Sequence, residues 1–252
     1  MLHFIDHPGP DDAAPLIIAH GLYGSARNWG GIARALSATR RVIAVDMRNH
    51  GDSPWFDTHR YPDMADDLIA LAATLGRPVD LLGHSMGGKA AMLTAIARPD
   101  LVRRLIVADI APVAYDHSHL PYIEAMRGLD LTGITRRSQA EDALRGLIDT
   151  PALAAFFVQS LDLTARAWKL NLDVLARDMA YLLGFPAVTG AFDGPTLFLA
   201  GALSPYVAPA YRPQIRALFP RAVIAKIPGA GHWLHAEKPA EFSAAVQHFL
   251  TA

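Results

Sequence analysis

The chain contains no cysteine. Disulfides, thiol nucleophiles and cysteine-ligated metals are excluded together, and a reducing, cytoplasmic setting fits that absence. A surplus of either charge is also missing: the formal net charge is −1, with 19% charged residues. Composition therefore gives no support to a phosphate-rich partner, and nucleic-acid binding is not expected. No apolar run reaches the ~18 residues of a membrane span. The stretch Met1 to Pro8 has neither the basic start nor the apolar core of a secretory signal, and no polybasic or lipidation anchor occurs, so no membrane partner is expected. G-x-G-x-x-G, Walker and H-E-x-x-H patterns are all absent, so neither a nucleotide cofactor nor a metal is expected.

What is present is a hydrophobic chain, 52% apolar over 252 residues, enough for one large α/β domain or a domain with an insertion. Short apolar runs alternate with helical patterns. Leu16 to Ala19, Val42 to Val45, Val79 to Leu82, Leu105 to Ala108, Thr196 to Ala200 and Val223 to Ile227 read as strands, with Leu2 to Asp6 a short edge strand. Helical segments are expected over Asn28 to Leu36, Met64 to Leu75, Lys89 to Ala97, Ala208 to Phe219 and Pro239 to Leu250. Strands that are apolar throughout and separated by helices imply a parallel sheet covered on both faces. The rhythm stops between Pro112 and Phe192, where helix starts replace strands. Ser138 with Glu141 has capping-box spacing, Thr150-Pro151 is a cap followed by a first-turn proline, and Asn171 precedes an apolar helical stripe. The expected organisation is a core of residues 1–111 and 193–252 and an all-helical cap of residues 112–192.

The densest chemical signal is Gly83-His84-Ser85-Met86-Gly87. A G-x-S-x-G run between a strand and a helix places its serine on a tight, strained turn with the hydroxyl exposed above the sheet. Ser85 is the expected nucleophile. It requires a histidine to take its proton and an acid to orient that histidine. His232, on a loop past the last strand, is the expected base, with His235 the alternative; His84 and His20 read as structural. The loop after Thr196 to Ala200 contains Ser204 and no carboxylate. Asp109, at the end of the neighbouring strand, is therefore the expected acid, with Asp173 and Asp193 as alternatives. Two backbone N–H groups must receive the oxyanion. Met86 supplies one and Leu22 the other, with Tyr23 the alternative. The polar run Asp46 to Pro54 reads as a hydrogen-bonded structural loop. Phe156, Phe157, Trp168 and Met126 of the insertion, with Tyr206 and Trp233, are candidates to line a substrate pocket or to form the insertion's own core.

These residues carry a resemblance. His20-Gly21-Leu22-Tyr23-Gly24-Ser25, Asp46-Met47-Arg48-Asn49-His50-Gly51-Asp52-Ser53-Pro54, Gly83 to Lys89, Asp109-Ile110-Ala111-Pro112-Val113 and Gly231-His232-Trp233 resemble the α/β-hydrolase superfamily, and within it the YbfF-type bacterial esterases and their mitochondrial relatives. The resemblance implies an α/β-hydrolase fold with the cap inserted after the sixth strand. It implies hydrolysis of small-molecule acyl esters, or of acyl thioesters, without a cofactor, and it favours Asp109 as the acid. Acyl transfer or perhydrolysis on the same triad is the alternative within enzymes. A non-catalytic ligand-binding member of the fold is the alternative outside them.

Overall fold

Runs of four to seven residues that are almost entirely apolar are too short for stable helices and too apolar for a surface, so they pair into a buried sheet. The computed structural model describes residues 1–148 and 150–252. Its strands are β1 (Phe4–His7), β2 (Leu16–Ala19), β3 (Val42–Val45), β4 (Val79–His84), β5 (Val102–Ala108), the short β6 (Leu161–Asp162) and β7 (Ala167–Trp168), then β8 (Thr196–Gly201) and β9 (Ala222–Ile227). Seven of them form one sheet in the order β1-β3-β2-β4-β5-β8-β9. Only β1, at one edge, is antiparallel to its neighbour.

Helices α1 (Gly30–Leu36), α2 (Tyr61–Thr74) and α3 (Met86–Ala97) connect β2 to β3, β3 to β4 and β4 to β5. Between β5 and β8 lie α4 (Leu120–Gly128), α5 (Arg137–Arg145), α6 (Pro151–Phe157), α7 (Leu172–Arg177) and α8 (Met179–Leu183). Helix α9 (Arg212–Leu218) leads to β9, and α10 (Leu234–Glu237) and α11 (Pro239–Thr251) close the chain. Side chains alternate across the sheet as strand geometry demands. Leu16 and Ile18 pack with residues of α1 and α11, while Ile17 and Ala19 pack with residues of α2 and α3. The second of these layers continues without a break into the inserted helices, through Ile123, Leu144 and Leu175.

Three expectations about the insertion are corrected. It follows the fifth strand of the chain, not the sixth. It is not all-helical, because β6 and β7 pair antiparallel with Leu161 opposite Trp168. Two residues per strand are too few for alternation to show in a sequence. Helix α5 begins at Arg137, so Ser138 lies inside its first turn. The reason is the amide of Gln139, which accepts from the N–H groups of Thr135 and Arg136 and sets the start of the helix. Asn171 does cap α7, accepting from Val174 N–H.

The Asp46 to Pro54 loop fastens the insertion to the sheet. His50 bridges to Leu170, Gly51 N–H donates to Lys169 O at 2.8 Å, and Asn171 N–H donates to Asn49 O at 3.0 Å. Gly51 is needed there: its φ is +59°, and a Cβ would lie 2.3 Å from the Asp46 carboxyl carbon. On the other side, the buried Lys89 of α3 donates to Val113 O, Leu183 O and Gly184 O, which flank the two ends of the insertion. Burial draws its pKa down from the ordinary lysine value to about 7.

Candidate active site

Ser85 joins β4 to α3 with φ +52° and ψ −118°, a conformation that costs free energy for a residue with a Cβ and is held by its surroundings. The surroundings are tight. A Cβ on Gly83 would lie 2.2 Å from Gly87 O, and one on Gly87 would lie 2.4 Å from Ala19 O. The two glycines let strand and helix meet closely enough to present the serine at the C-terminal edge of the sheet, where open α/β sheets collect their ligands.

The structure brings Ser85, His232 and Asp109 together. His232 Nε2 lies 3.1 Å from Ser85 Oγ, and His232 Nδ1 lies 2.7 Å from Asp109 Oδ2. A carboxylate can only accept, so Nδ1 carries the proton and Nε2 is left to accept from the serine hydroxyl. Asp109 follows β5 with φ +52°, and its side chain is fully buried. Its Oδ1 accepts from Gly201 N–H at 2.9 Å, and Oδ2 also accepts from the Ser204 hydroxyl. Ser204, which by sequence occupies the empty place of an acid, is thus a donor to the acid beside it. The rival carboxylates lie elsewhere. Asp173 is exposed and paired with Arg127, and Asp193 is exposed beyond the insertion.

The other histidines are occupied in bracing. His84 Nε2 donates to the main-chain carbonyl of His232 at 2.9 Å, and His235 is stacked on Trp29 with ring centroids 4.2 Å apart. His20 donates from Nδ1 to Gly21 O and accepts Met47 N–H on Nε2, so it holds the loop after β2 against the loop after β3. Tyr23 N–H is already spent on His50 Nε2, which removes Tyr23 as an oxyanion donor. Leu22 N–H has no protein acceptor among the described residues. Met86 is the first residue of α3, and helix geometry leaves such an N–H without an intrahelical partner. Both therefore remain available for an oxyanion.

A cavity of about 380 Å³ opens over Ser85 between sheet and insertion, and Phe156, Phe157, Tyr206 and Trp233 line it. Met126 and Trp168 do not; Trp168 Nε1 donates to Met126 O inside the insertion, so these two belong to its own core. Three residues that no sequence pattern singles out as part of the site, His117, His119 and Tyr122, also face the cavity. The Tyr206 ring lies 4.3 Å from that of His232, and its hydroxyl is 2.9 Å from His117 Nε2. The only sequence signal for the two histidines is a His-x-His spacing soon after Asp109. A separate group, His3, Asp46 and Asp52, brings potential metal ligands within 4.8 Å of one another. None of the three lines the cavity, and both Asp46 oxygens already accept protein donors.

Ser204 yields a prediction here. Its hydroxyl donates onto a buried carboxylate, and a hydrogen bond to a charged group contributes ~1.5–3 kcal/mol. Ser204→Ala is expected to lower kcat about ten- to a hundredfold with KM unchanged, and Ser204→Thr to restore most of it. A steady-state comparison on one ester decides; a change confined to KM would show that Ser204 does not act through Asp109.

A family model described as alpha/beta hydrolase family matches residues 16–245. The sn-1-specific diacylglycerol lipase ABHD11 of Mus musculus is 42% identical over 246 residues, covering 93% of this chain and 80% of that protein. Esterase YbfF of Escherichia coli K12 is 38% identical over 240 residues, covering 94% and 93%. Among solved structures, a marine microorganism esterase superposes with a TM-score of 0.92 at 38% identity, covering 98% of each chain. No helix among the described residues is long and apolar enough to cross a membrane.

Proposed function

Because the chain belongs to the alpha/beta hydrolase family and is a serine hydrolase acting on ester bonds, we propose that it works through an acyl-enzyme on Ser85, with His232 as base and Asp109 as its orienting acid. The observation that carries this reading is the continuous chain Ser85 Oγ, His232 Nε2, His232 Nδ1, Asp109 Oδ2, with steps of 3.1 and 2.7 Å. Ser85 Oγ attacks the acyl carbon as its proton passes to His232. The oxyanion rests on the N–H groups of Leu22 and Met86. The carbon–oxygen bond to the alcohol breaks, and the alcohol leaves with the proton from His232. Water then attacks the acyl-serine, its proton taken by His232, and Ser85 is released. Thioesters would follow the same course with a thiol leaving. Residues 1–111 and 193–252 serve as the catalytic core in this reading, and residues 112–192 as a cap that supplies the roof of the cavity.

The test is covalent. A fluorophosphonate should add once per chain, on the peptide that contains Ser85, and abolish ester turnover in proportion. Labelling on another residue, or turnover that survives full labelling, would remove Ser85 from the reaction. Turnover without labelling competition from added ester would do the same.

A further inference from the structure

Ser85 stands between two cavities, not in one. The larger, about 380 Å³, contains His232 in its wall; the smaller, about 40 Å³, contains Met86 but not His232. Leu22 and Ser85 border both. From this asymmetry we infer that the acyl substituent enters the smaller cavity and the alcohol the larger, so that the substrates are short acyl esters of bulky apolar alcohols. The inference rests on the acyl-enzyme reading above and adds to it the direction in which the substrate lies.

The path of the proton sets the direction. His232 must hand it to the leaving oxygen, so the alcohol has to lie on the His232 side of Ser85, which is the larger cavity. With the oxyanion between Leu22 and Met86, the remaining substituent of the acyl carbon points toward the cavity that holds Met86. At about 40 Å³ the cavity on this side has roughly a tenth of the volume of the other, about 380 Å³, and suits a short acyl chain.

The small cavity cannot readily grow, because its walls are tied. Tyr61 donates from its hydroxyl to Leu182 O at 2.7 Å, and Tyr115 donates to Tyr206 O at 2.7 Å. Pushing either wall outward breaks one of these hydrogen bonds, the first buried and the second partly so. Lys89 also borders this cavity, and its Nζ is held on three main-chain carbonyls, those of Val113, Leu183 and Gly184. The large cavity, by contrast, is walled by Leu153, Phe156, Phe157 and Trp233 and suits an apolar alcohol.

The experiment varies the two arms separately. kcat/KM is measured for p-nitrophenyl acetate, butyrate and octanoate, and for ethyl, octyl and 2-naphthyl acetate, on the wild type, Leu182→Ala and Ile110→Ala. Leu182 and Ile110 line the small cavity only, and two variants guard against one failing to fold. The expected result is a fall of at least about tenfold from butyrate to octanoate, octyl and 2-naphthyl acetate turned over at least as well as ethyl acetate, and recovery of octanoate in a folded variant. Octanoate preferred over acetate, with no response to either variant, would place the acyl chain in the large cavity and overturn the inference alone. Turnover of no ester in either series, together with no fluorophosphonate labelling, would overturn the acyl-enzyme reading as well.

Discussion

Asp109→Asn is expected to lower kcat about ten-thousandfold, a severe loss though about a hundredfold smaller than the roughly millionfold loss expected for Ser85→Ala. The size follows from how Asp109 is held. Gly201 N–H can only donate, so the carbonyl oxygen of an asparagine would take the Oδ1 position that now accepts from it at 2.9 Å. The amide NH2 would then occupy the Oδ2 position, 2.7 Å from His232 Nδ1. Two donors cannot face each other, so His232 would shift its proton to Nε2, the nitrogen that must accept from Ser85. The fold would survive with the wrong tautomer at its centre. Asp173→Asn should leave kcat within about twofold, since that carboxylate is exposed and its pair with Arg127 is a surface pair of small effect. p-Nitrophenyl acetate turnover by the three variants checks this. A crippled Asp173→Asn with an active Asp109→Asn would move the acid into the insertion.

Much of this site is legible in the amino-acid sequence, for identifiable reasons. A G-x-S-x-G run acquires meaning from the strand before it and the helix after it, and both are local patterns. Asp109 follows by elimination, since the loop after β8 carries no carboxylate and β5 ends beside β4. Register pairs His84 with Ala108, which puts Ser85 and Asp109 next to each other at one sheet edge. The hydroxyl of Ser204 cannot be read the same way. A serine in an acid's place looks like a vacancy, and only the approach of β8 to β5 turns it into a donor for Asp109. The role of Asp46 to Pro54 is half visible: its polar density suggests a structural loop, but its hold on Lys169, Leu170 and Asn171 depends on contacts across more than a hundred residues. Trp168 and Met126 show a limit of a different kind. An apolar residue of an insertion reads the same whether it faces a cavity or the insertion's own core, and here both face the core.

Acid should unfold this protein well above the pH at which its carboxylates titrate. His20, His50, His59, His84 and His235 are all buried. Burial lowers the pKa of every one of them, to about 3 for His50 and His235. The geometry explains why they resist a proton. His20 Nε2 accepts Met47 N–H and His50 Nε2 accepts Tyr23 N–H, so protonating either ring breaks a buried main-chain bond. Their centroids are 5.1 Å apart, as are those of His50 and His59, and His84 lies 4.6 Å from His235, so a second charge would meet the first. In the unfolded chain the same groups titrate near 6.5. Below that pH the unfolded state binds protons that the native state refuses, and stability falls with pH, for His50 and His235 until their native values of about 3 are reached. Each such group contributes up to ~1.4 kcal/mol per pH unit, so His50 and His235 together contribute up to ~2.8 kcal/mol per pH unit, and the other three add in the same direction, against a typical total stability of ~5–15 kcal/mol. Urea titrations followed by tryptophan emission, with Trp29 stacked on His235 as a reporter, should show little change between pH 8 and 7. The midpoint should then collapse between about pH 6 and pH 4.5. A midpoint unchanged from pH 7.5 to pH 5 would mean that these rings accept protons in the folded state. His235→Phe would keep the ring stacked on Trp29 and delete one titrating group, so its loss of stability on acidification should be shallower than that of the wild type by ~1.4 kcal/mol per pH unit.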